Sequence, residues 1–528
     1  MIVTKTTRTC NPKPHLDPKA NESVSVEQAA KNLLVLAEQM KVNAEAAAKN
    51  GDSFDQVERR VWDSVLQIGV QTMQLFVALQ GDGDLGSEIE TESGKTLHRS
   101  EEPSSRVVRS VFGEHVFDEY TYSTGKNKAV ELRPISARMS LPAHRWSHLL
   151  QEFSQIFCVD QAFGQAAGNL GVVLKDRFSV DTIEKINQDL GASAGEFLAD
   201  LPAPESGSEA KLLVASADGK GVPLIKRETT QAAAFETAKK NPGNRKMATV
   251  ASVYSVDPHV RSAEEITAAL FRDESAPDED AQPKRPTPQN KNTTAHFPRT
   301  KDDETGKSTT ISGIHVAMAW IIAQIALRRR AGQVLVVLMD GQESLWTSFE
   351  SCLPFSPRTV GVLDILHALA YVWEAARLFC RSEEERKAFT RARLLRILRG
   401  EVQGVIRGLR QMGTTRKFKG DPLNDLNRIC GYLEKNACRM RYDEYLRRGY
   451  PIASGVIEGA CRHLVKDRME RSGMRWTLEG ARSMLNLRAA FQSDYWRLFL
   501  DDHIAKETNR THPNADLITD YKPLALAA

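Results

Sequence analysis

Residues 334–346, with the sequence VLVVLMDGQESLW, decide the fold class of this chain. The first six form a continuous apolar run rich in valine, which is typical of a strand buried on both faces of a sheet. A helical pattern at 313–330 precedes the run, and a shorter candidate strand at 359–363 follows it. Strands that alternate with helices in this way predict an α/β core.

A second group of strands lies upstream of this run. Residues 212–217 (LLVASA) predict a buried strand, and the following Asp-Gly-Lys-Gly at 218–221 has the composition of a turn. Residues 222–226 and 248–256 predict further strands, and 262–271 a short helix. The core therefore begins well before residue 334.

The N-terminal region is mostly helical in pattern. Residues 25–49 and 53–80 predict two helices, and 106–122 has the β-branched and aromatic composition of a hairpin around a central glycine. Helices at 161–174 and 180–190 are joined closely enough to form a helix-turn-helix, although two ordinary packed helices are the more common arrangement.

Composition narrows the class of protein. Hydrophobic residues are 41% and charged residues 26% of the 528, which excludes a wholly disordered chain. The longest apolar-looking stretch, 314–327, is too short to cross a bilayer, and the N-terminus lacks the apolar core of a signal peptide. None of the seven cysteines forms a CxxC pair, so neither a zinc ribbon nor a disulfide framework is expected. We expect a cytoplasmic protein.

Positive charge is concentrated near the C-terminal end. The whole chain carries a formal net charge of only +3, yet residues 381–450 contain 18 Lys and Arg against 9 Asp and Glu. Such segregation favours a nucleic-acid partner, and a solvated basic helix face is the alternative. Arg416, Lys417 and Lys419 form the strongest single cluster, between a Gly-bearing turn and Gly-Asp-Pro.

Two carboxylates follow the two best strands. Asp218 and Asp340 each come directly after an apolar run and are each followed by glycine. Ligands of open α/β sheets bind outside the carboxyl ends of the strands, and two acids brought together there need a cation such as Mg²⁺ or Mn²⁺. The alternative is that Asp-Gly marks an ordinary turn.

A third acid lies in the segment 450–476, YPIASGVIEGACRHLVKDRMERSGMRW. Ser454 is placed to cap a helix that carries Glu458, with Arg462 and Lys466 at i+4 and i+8. Ion pairing is one interpretation, but it leaves unexplained the two glycines that flank the glutamate and weaken a helix. Close approach to a metal or a DNA strand would explain them. Basic residues beside an indole continue the segment, suited to hold phosphates and stack on a base: Arg471, Arg475 and Trp476. The alternative for the indole is a place in the core at a helix end.

Together these segments resemble the transposases of bacterial insertion sequences of the Kra type, members of the DDE superfamily related to Mutator-like transposases. The blocks that carry the resemblance are ASADGKGVP (215–223), NPGNRKMATVASVYSVDP (241–258), VLVVLMDGQESLW, VGVLDILHAL (360–369) and the segment 450–476. The resemblance covers about residues 50–500.

The resemblance implies an RNase H-like core and a metal-binding triad of Asp218, Asp340 and Glu458, which would hold two Mg²⁺ or Mn²⁺ ions. The wide gap before Glu458 implies a helical insertion. Asp364 and His367 match a D-x-x-H motif of the Mutator-like relatives, and a helix-capping aspartate beside a histidine is the other interpretation. The DNA partners implied are terminal inverted repeats and target DNA, bound by a homodimer at the nucleoid.

These observations predict an α/β fold, with an RNase H-like mixed sheet interrupted by an all-helical insertion and preceded by a mostly helical region. The predicted divisions are a loose tail at 1–25, a DNA-end-binding region at 26–205, the first part of the core at 206–367 with a disordered loop at 273–309, a basic insertion at 368–449 projecting from the sheet, the second part of the core at 450–500, and a C-terminal tail at 501–528.

The predicted function is cleavage and strand transfer of DNA by a two-metal mechanism. A DNA-binding regulator built on the helix-turn-helix, without catalysis, is the main alternative. A phosphohydrolase with an aspartyl-phosphate intermediate is a weaker one, because the partner aspartate that it wants two positions after Asp218 is Lys220.

Overall fold

The computed structural model describes residues 24–205, 207–225, 245–272, 285–302, 308–471 and 473–525. The chain divides into two compact units, of which the first comprises 1–158, 162–183 and 500–528 and the second 159–161 and 184–499. No helix within the described ranges is both long enough and apolar enough to span a membrane. The fold class is mixed α/β.

The first unit begins with the two predicted helices. Ser25 caps the first, and Ser53 forms a capping box with Gln56 at the start of the second. The predicted hairpin is also confirmed, with its turn at 111–112. The elements are α1 (Val26–Asn50), α2 (Phe54–Ala78), β1 (Glu88–Glu90), β2 (Thr96–Arg99), β3 (Ser104–Ser110), β4 (Gly113–Glu119), β5 (Tyr122–Ser123), β6 (Val130–Leu132), α3 (Pro134–Arg138), α4 (His148–Cys158) and α5 (Phe163–Leu174).

The rest of the chain alternates strands and helices before a long helical series. Its elements are α6 (Val180–Ala199), β7 (Leu212–Pro223), β8 (Arg245–Val256), α7 (Ala263–Phe271), β9 (Gln289–His296), β10 (Arg299–Asp302), β11 (Ser308–Ile311), α8 (Gly313–Arg328), β12 (Val334–Met339), α9 (Glu343–Cys352), β13 (Thr359–Leu363), α10 (Ile365–Phe379), α11 (Glu383–Leu398), α12 (Val402–Thr415), α13 (Asp421–Lys435), α14 (Tyr442–Arg447), α15 (Gly455–Ala460), α16 (Asp467–Met469), α17 (Leu478–Gln492) and α18 (Trp496–Thr511).

The helix pair α5 and α6 forms at the place predicted for a helix-turn-helix. The link between the two helices is anchored, because the Arg109 guanidinium donates to Asp176 and to the carbonyl of Arg177, both at 2.6 Å. Phe178 packs edge-on against Trp146, with ring centroids 5.5 Å apart. The helices are confirmed, and their role in DNA binding stays a prediction.

A five-stranded mixed sheet forms the centre of the second unit, in the order β13-β12-β7-β8-β9. β12 pairs in parallel with both β13 and β7, whereas β7–β8 and β8–β9 are antiparallel. Successive side chains of a strand point to opposite faces. Odd-numbered residues such as Leu335 and Val337 therefore pack with α8 and α9 on one face, and even-numbered residues such as Val336 and Leu338 pack on the other.

The turn predicted at 218–221 is wrong. β7 continues through it to Pro223, and β8 pairs with every residue from Leu212 to Pro223. Small residues that favour a turn in isolation are held extended here because the neighbouring strand satisfies their backbone groups. Asp218 is therefore within a strand and not at its end.

The disordered loop predicted at 273–309 is also wrong over much of its length. Residues 273–284 and 303–307 lie outside the described residues, but β9 is an edge strand of the sheet and β10 and β11 form a hairpin. Thr293 and Thr294 are buried, and the side chain of Asn292 donates to Gln324 at 3.0 Å. The polar composition of β9 did not indicate a strand, because its polar side chains are buried through hydrogen bonds with other side chains, such as that of Gln324 in α8.

The helical insertion is confirmed as helical, but it does not project from the sheet. Helices α10 to α14 share one hydrophobic core with the even-numbered residues of β12 and β13. Tyr442 donates its hydroxyl to the carbonyl of Leu363 at 2.8 Å, and Tyr445 donates to Gly361 at 3.0 Å. The insertion is thus a layer on one sheet face.

The predicted C-terminal tail is a folded part of the first unit. α18 extends to Thr511, and a 3₁₀ turn follows at Ala515–Ile518. Tyr521 donates its hydroxyl to the carbonyl of Gln80 at 2.7 Å. The first unit therefore joins both ends of the described chain. The predicted division near residue 205 falls inside the second unit instead. The tail predicted at 1–25 lies almost wholly outside the described residues.

Candidate active site

Three aspartates lie side by side, one on β7 and one directly after each of the neighbouring strands β12 and β13. The strand pairs Val337–Ala215 and Met339–Leu363 fix the register, and its continuation places Asp340 beside both Asp218 and Asp364. All three are even-numbered, so their side chains belong to the face that carries the insertion. Neighbouring strands lie about 4.8 Å apart, which brings these side chains within reach of shared ligands. We call this set the acid row.

Asp340 lies in the short connection between β12 and α9. Its Oδ1 accepts the backbone N–H of Gln342 at 2.9 Å, and its carbonyl accepts the indole N–H of Trp346 at 2.6 Å. The following Gly341 is required by close packing, because an added Cβ would fall inside the ring of Tyr432 from α13. Its φ is not left-handed, so the predicted turning role of this glycine is replaced by contact with the insertion.

Tyr432 is a member of the site that sequence reasoning missed. Its ring stacks on Tyr371 of α10, with centroids 3.7 Å apart and planes at 12°. Burial is the main cause that raises the pKa of Tyr432, and the charges of Asp340 and Asp364 add to it. No motif surrounds Tyr432 in the sequence, and only the packing of the insertion brings it to the acid row.

Asp364 is fully buried and has two functions at once. Its Oδ1 accepts the backbone N–H of Leu366 at 2.8 Å and so caps α10, as one interpretation of the sequence predicted. Its Oδ2 accepts the hydroxyl of Ser454. The Ser454 hydroxyl also lies 3.5 Å from Oε1 of Glu458. Ser454 therefore does not cap α15 with its side chain, as predicted, but links Asp364 to Glu458.

Glu458 lies on α15, just before a π-helical turn at Cys461–Lys466. Asp364, His367 and Glu458 offer ligand atoms that all lie within 4.8 Å of one another. Arg462 contacts Asp467, with Nε 3.8 Å from Oδ1, so the ion pair predicted between Arg462 and Glu458 is replaced by one with Asp467. Single π-helical turns within α-helices are frequent at functional sites.

Asp218 meets a thiol from the same helical segment. The Sγ of Cys461 donates to Oδ2 of Asp218 over 3.4 Å. Burial raises the pKa of Cys461 strongly, and the charge of Asp218 raises it further, so the thiol is protonated. Cys461 belongs to the segment 450–476, but nothing in the sequence indicated this contact.

The electrostatics of the site favour a cation. Burial raises the pKa of Asp340, and the charges of Asp218 and Asp364 raise it further against the lowering effects of Gln342 and His367. Burial also raises the pKa of Glu458, and Asp364 and Asp218 contribute. Neighbouring carboxylates disfavour one another's ionised form, and a cation bound between them removes this repulsion.

The predicted DNA-binding residues separate into two groups. Most are exposed: Arg462, Lys466, Arg471, Arg475, Arg416, Lys417 and Lys419. Trp476 is the exception, because only 6% of it is exposed and its N–H donates to the carbonyl of Met469 at 3.2 Å. Arg468 lies over its ring at 4.9 Å. The prediction that Trp476 stacks on a base is therefore wrong, and the indole belongs to the core.

The structure thus brings Asp218, Asp340, Glu458, Asp364 and His367 into one neighbourhood although 240 positions separate the first from Glu458. It adds Ser454, Cys461 and Tyr432. No protein-family model matches this chain, and no curated protein matches it significantly.

Proposed function

We propose that this protein is a DDE-type DNA transposase with an RNase H-like core, which cleaves and joins DNA strands at the acid row. The single observation that carries the proposal is the register of Asp218, Asp340 and Asp364, with Glu458 supplied by a helix that follows the insertion. A DNA-binding regulator would have no use for four carboxylates gathered on one sheet face.

The donor set suits a hard divalent cation. Carboxylate oxygens are the ligands that Mg²⁺ and Mn²⁺ prefer, and Asp218, Asp340 and Glu458 would hold the ions. The raised pKa values of Asp340 and Glu458 are the observation of this structure that supports the fit. When bound, the ions would lower the pKa of an attacking water or 3′-hydroxyl and stabilise charge on the leaving oxygen.

The residues around the acids would orient the carboxylates or contact DNA. Ser454 orients Glu458 through its contact with Asp364, and Tyr432 fixes the connection that carries Asp340. Arg462 and Lys466 are exposed on the helical segment that carries Glu458, where they would hold the phosphates of a DNA strand.

The glycines beside Glu458 support the approach of a substrate. A Cβ added at Gly455 would meet nothing within 4 Å, and one at Gly459 would only reach His463 at 4.0 Å. The fold itself therefore does not need glycine at either position. Space next to a carboxylate on an exposed helix is what a DNA strand requires.

The test is cleavage of DNA that carries the ends of the element, in Mg²⁺ and in EDTA. We expect Mg²⁺-dependent nicking by the wild type, and loss by at least about 100-fold for Asp218→Asn, Asp340→Asn or Glu458→Gln, because a bound ion supplies several kcal/mol of charge stabilisation. DNA binding should survive in all three.

A matched control distinguishes the site from the sheet in general. Asp257 directly follows β8, which runs antiparallel to β7. It therefore lies beside the N-terminal end of β7, at the end of the strands opposite to the acid row. Asp257→Asn should cleave as the wild type does. Binding without cleavage by the wild type itself would favour the regulator, and equal cleavage by Glu458→Gln would refute the assignment of the site.

A further inference from the structure

A second cluster of possible ligands lies in the first unit, away from the acids just described in sequence and in chemistry. It consists of His148 at the start of α4 and of His503 and Glu507, one turn apart on α18. Their ligand atoms all lie within 4.8 Å of one another. Only 4% of the Glu507 side chain is exposed, and the two imidazoles are 17% and 13% exposed.

One carboxylate oxygen faces both imidazoles. Oε1 of Glu507 accepts the backbone N–H of Ala143 at 3.2 Å. Oε2 lies 3.3 Å from Nε2 of His503 and 3.7 Å from Nδ1 of His148. The backbone contact thus fixes the carboxylate and turns its other oxygen toward the histidines.

These two oxygen–nitrogen distances are close to the distances between neighbouring ligand atoms of a tetrahedral zinc ion. Zinc binds histidine nitrogen and carboxylate oxygen at about 2.0–2.2 Å in a tetrahedral arrangement, so two of its ligands lie about 3.3–3.6 Å apart. Two histidines and one glutamate are also a donor set that protein-bound zinc uses, with a fourth position left to water.

We propose that His148, His503 and Glu507 form a zinc site that joins the C-terminal helix α18 to α4. The site is independent of the proposed DNA chemistry. It would cross-link segments more than 350 positions apart in the sequence, since His148 and His503 come from opposite ends of the chain. Its nitrogen ligands favour zinc, whereas the oxygen ligands of the acid row favour Mg²⁺.

The test uses the full-length chain, stripped with a chelator and titrated with Zn²⁺ in excess Mg²⁺. We expect one tightly bound zinc per chain and, with Co²⁺ in its place, the visible absorption of a tetrahedral site. Because loss of an outer-shell partner alone costs about 10- to 100-fold in affinity, loss of a direct ligand should weaken zinc binding by about 100-fold or more. The variants are His148→Ala, His503→Ala and the nearly isosteric Glu507→Gln.

His98 provides the matched control. Its Nδ1 lies 3.2 Å from Glu88 in the same unit, but the described part of the chain offers this pair no third ligand, so His98→Ala should bind zinc as the wild type does. The variant Asp340→Asn should also keep the zinc, which separates this site from the acid row. Retention of the bound zinc by a folded Glu507→Gln and His503→Ala, checked by circular dichroism, would overturn the proposal, as would the absence of zinc binding by the wild type.

Discussion

The acid row and the cluster of His148, His503 and Glu507 differ in how each accommodates a buried carboxylate. Both bury carboxylates, yet the pKa of Asp340 is raised and that of Glu507 is lowered to about 2. The difference lies in the neighbours. Burial and a backbone N–H act on both carboxylates, but Asp218 and Asp364 lie beside Asp340, whereas two imidazoles lie beside Glu507. Among the residues that the structure describes, no Lys or Arg pairs with the acid row, whereas Glu507 has imidazole partners within the fold.

The largest expected effect concerns the stability that Glu507 contributes. Because its pKa falls from 4.5 to about 2, the ionised carboxylate stabilises the fold above pH 4.5, and that contribution disappears as the pH falls toward 2. The shift corresponds to at most about 3 kcal/mol. Urea unfolding in EDTA should show Glu507→Gln destabilised at pH 7, with a smaller difference near pH 3. Equal stability at pH 7 would show that the imidazoles do not stabilise this carboxylate.

The stability that Asp340 of the acid row contributes should depend on pH in the opposite direction. Its raised pKa means that Asp340 stabilises the fold below its ordinary pKa of 3.8, and this contribution is lost as the pH rises through the raised value. At pH 7 in EDTA, Asp340→Asn should therefore be more stable than the wild type. Mg²⁺ at 100 times its dissociation constant should add about 2.7 kcal/mol to the wild type and much less to the variant.

Thermal unfolding at pH 7, with and without Mg²⁺, measures this reversal. Asp257→Asn serves as the control, because its carboxylate lies at the end of the strands opposite to the acid row. If Mg²⁺ stabilises Asp340→Asn as much as the wild type, the acid row is not where the cation binds.

A third comparison concerns how each cluster orients its glutamate. Glu507 is held by a backbone N–H, but Glu458 depends on the hydroxyl of Ser454, which Asp364 also engages. Ser454→Ala should lower the rate of Mg²⁺-dependent cleavage by about 10- to 100-fold, the usual cost of losing a group that orients a metal ligand. Ser454→Thr keeps a hydroxyl and should recover part of the rate. A role in stability alone would leave cleavage by folded Ser454→Ala unchanged.

Local pattern predicted those parts of this fold that depend on local physics. The apolar run of β12 and the caps at Ser25 and Ser53 specify their elements almost alone. Asp218 and Asp340 were identified because each follows an apolar run and precedes a glycine, a pattern that an ordinary turn also produces. Their level arrangement was not predictable, because it depends on register between strands 122 positions apart.

The failures have a common physical cause. The turn at 218–221, the disorder assigned to β9 and the stacking role of Trp476 were each inferred from composition within a few residues. In each case distant backbone or side-chain partners override the local preference: β8 pairs with β7, Gln324 binds Asn292, and the backbone of Trp476 donates to Pro223. Tyr432 was missed for the same reason, since only the packed insertion brings it to Gly341.

The smallest expected effect concerns the basic cluster that would offset the negative charge of the acid row and of bound DNA. Arg416, Lys417 and Lys419 lie exposed between α12 and α13, the helix that also carries Tyr432. At 1.5 Å per residue, the start of α13 lies about 17 Å along the helix from Tyr432, so on the proposed function the cluster would contact phosphates away from the reacting one.

Neutralising all three to glutamine should weaken binding of specific and random DNA about equally and reduce the slope of log affinity against log salt by up to about 3. Arg416 also lies 5.4 Å from the ring of Phe379, so the double variant Lys417→Gln with Lys419→Gln isolates charge from packing. Arg410→Gln is the matched control, because Arg410 already pairs with Glu434 at 2.7 Å and should change the slope little. A salt slope that stays the same in the triple variant would place the compensating charge elsewhere, on the exposed arginines beside Glu458.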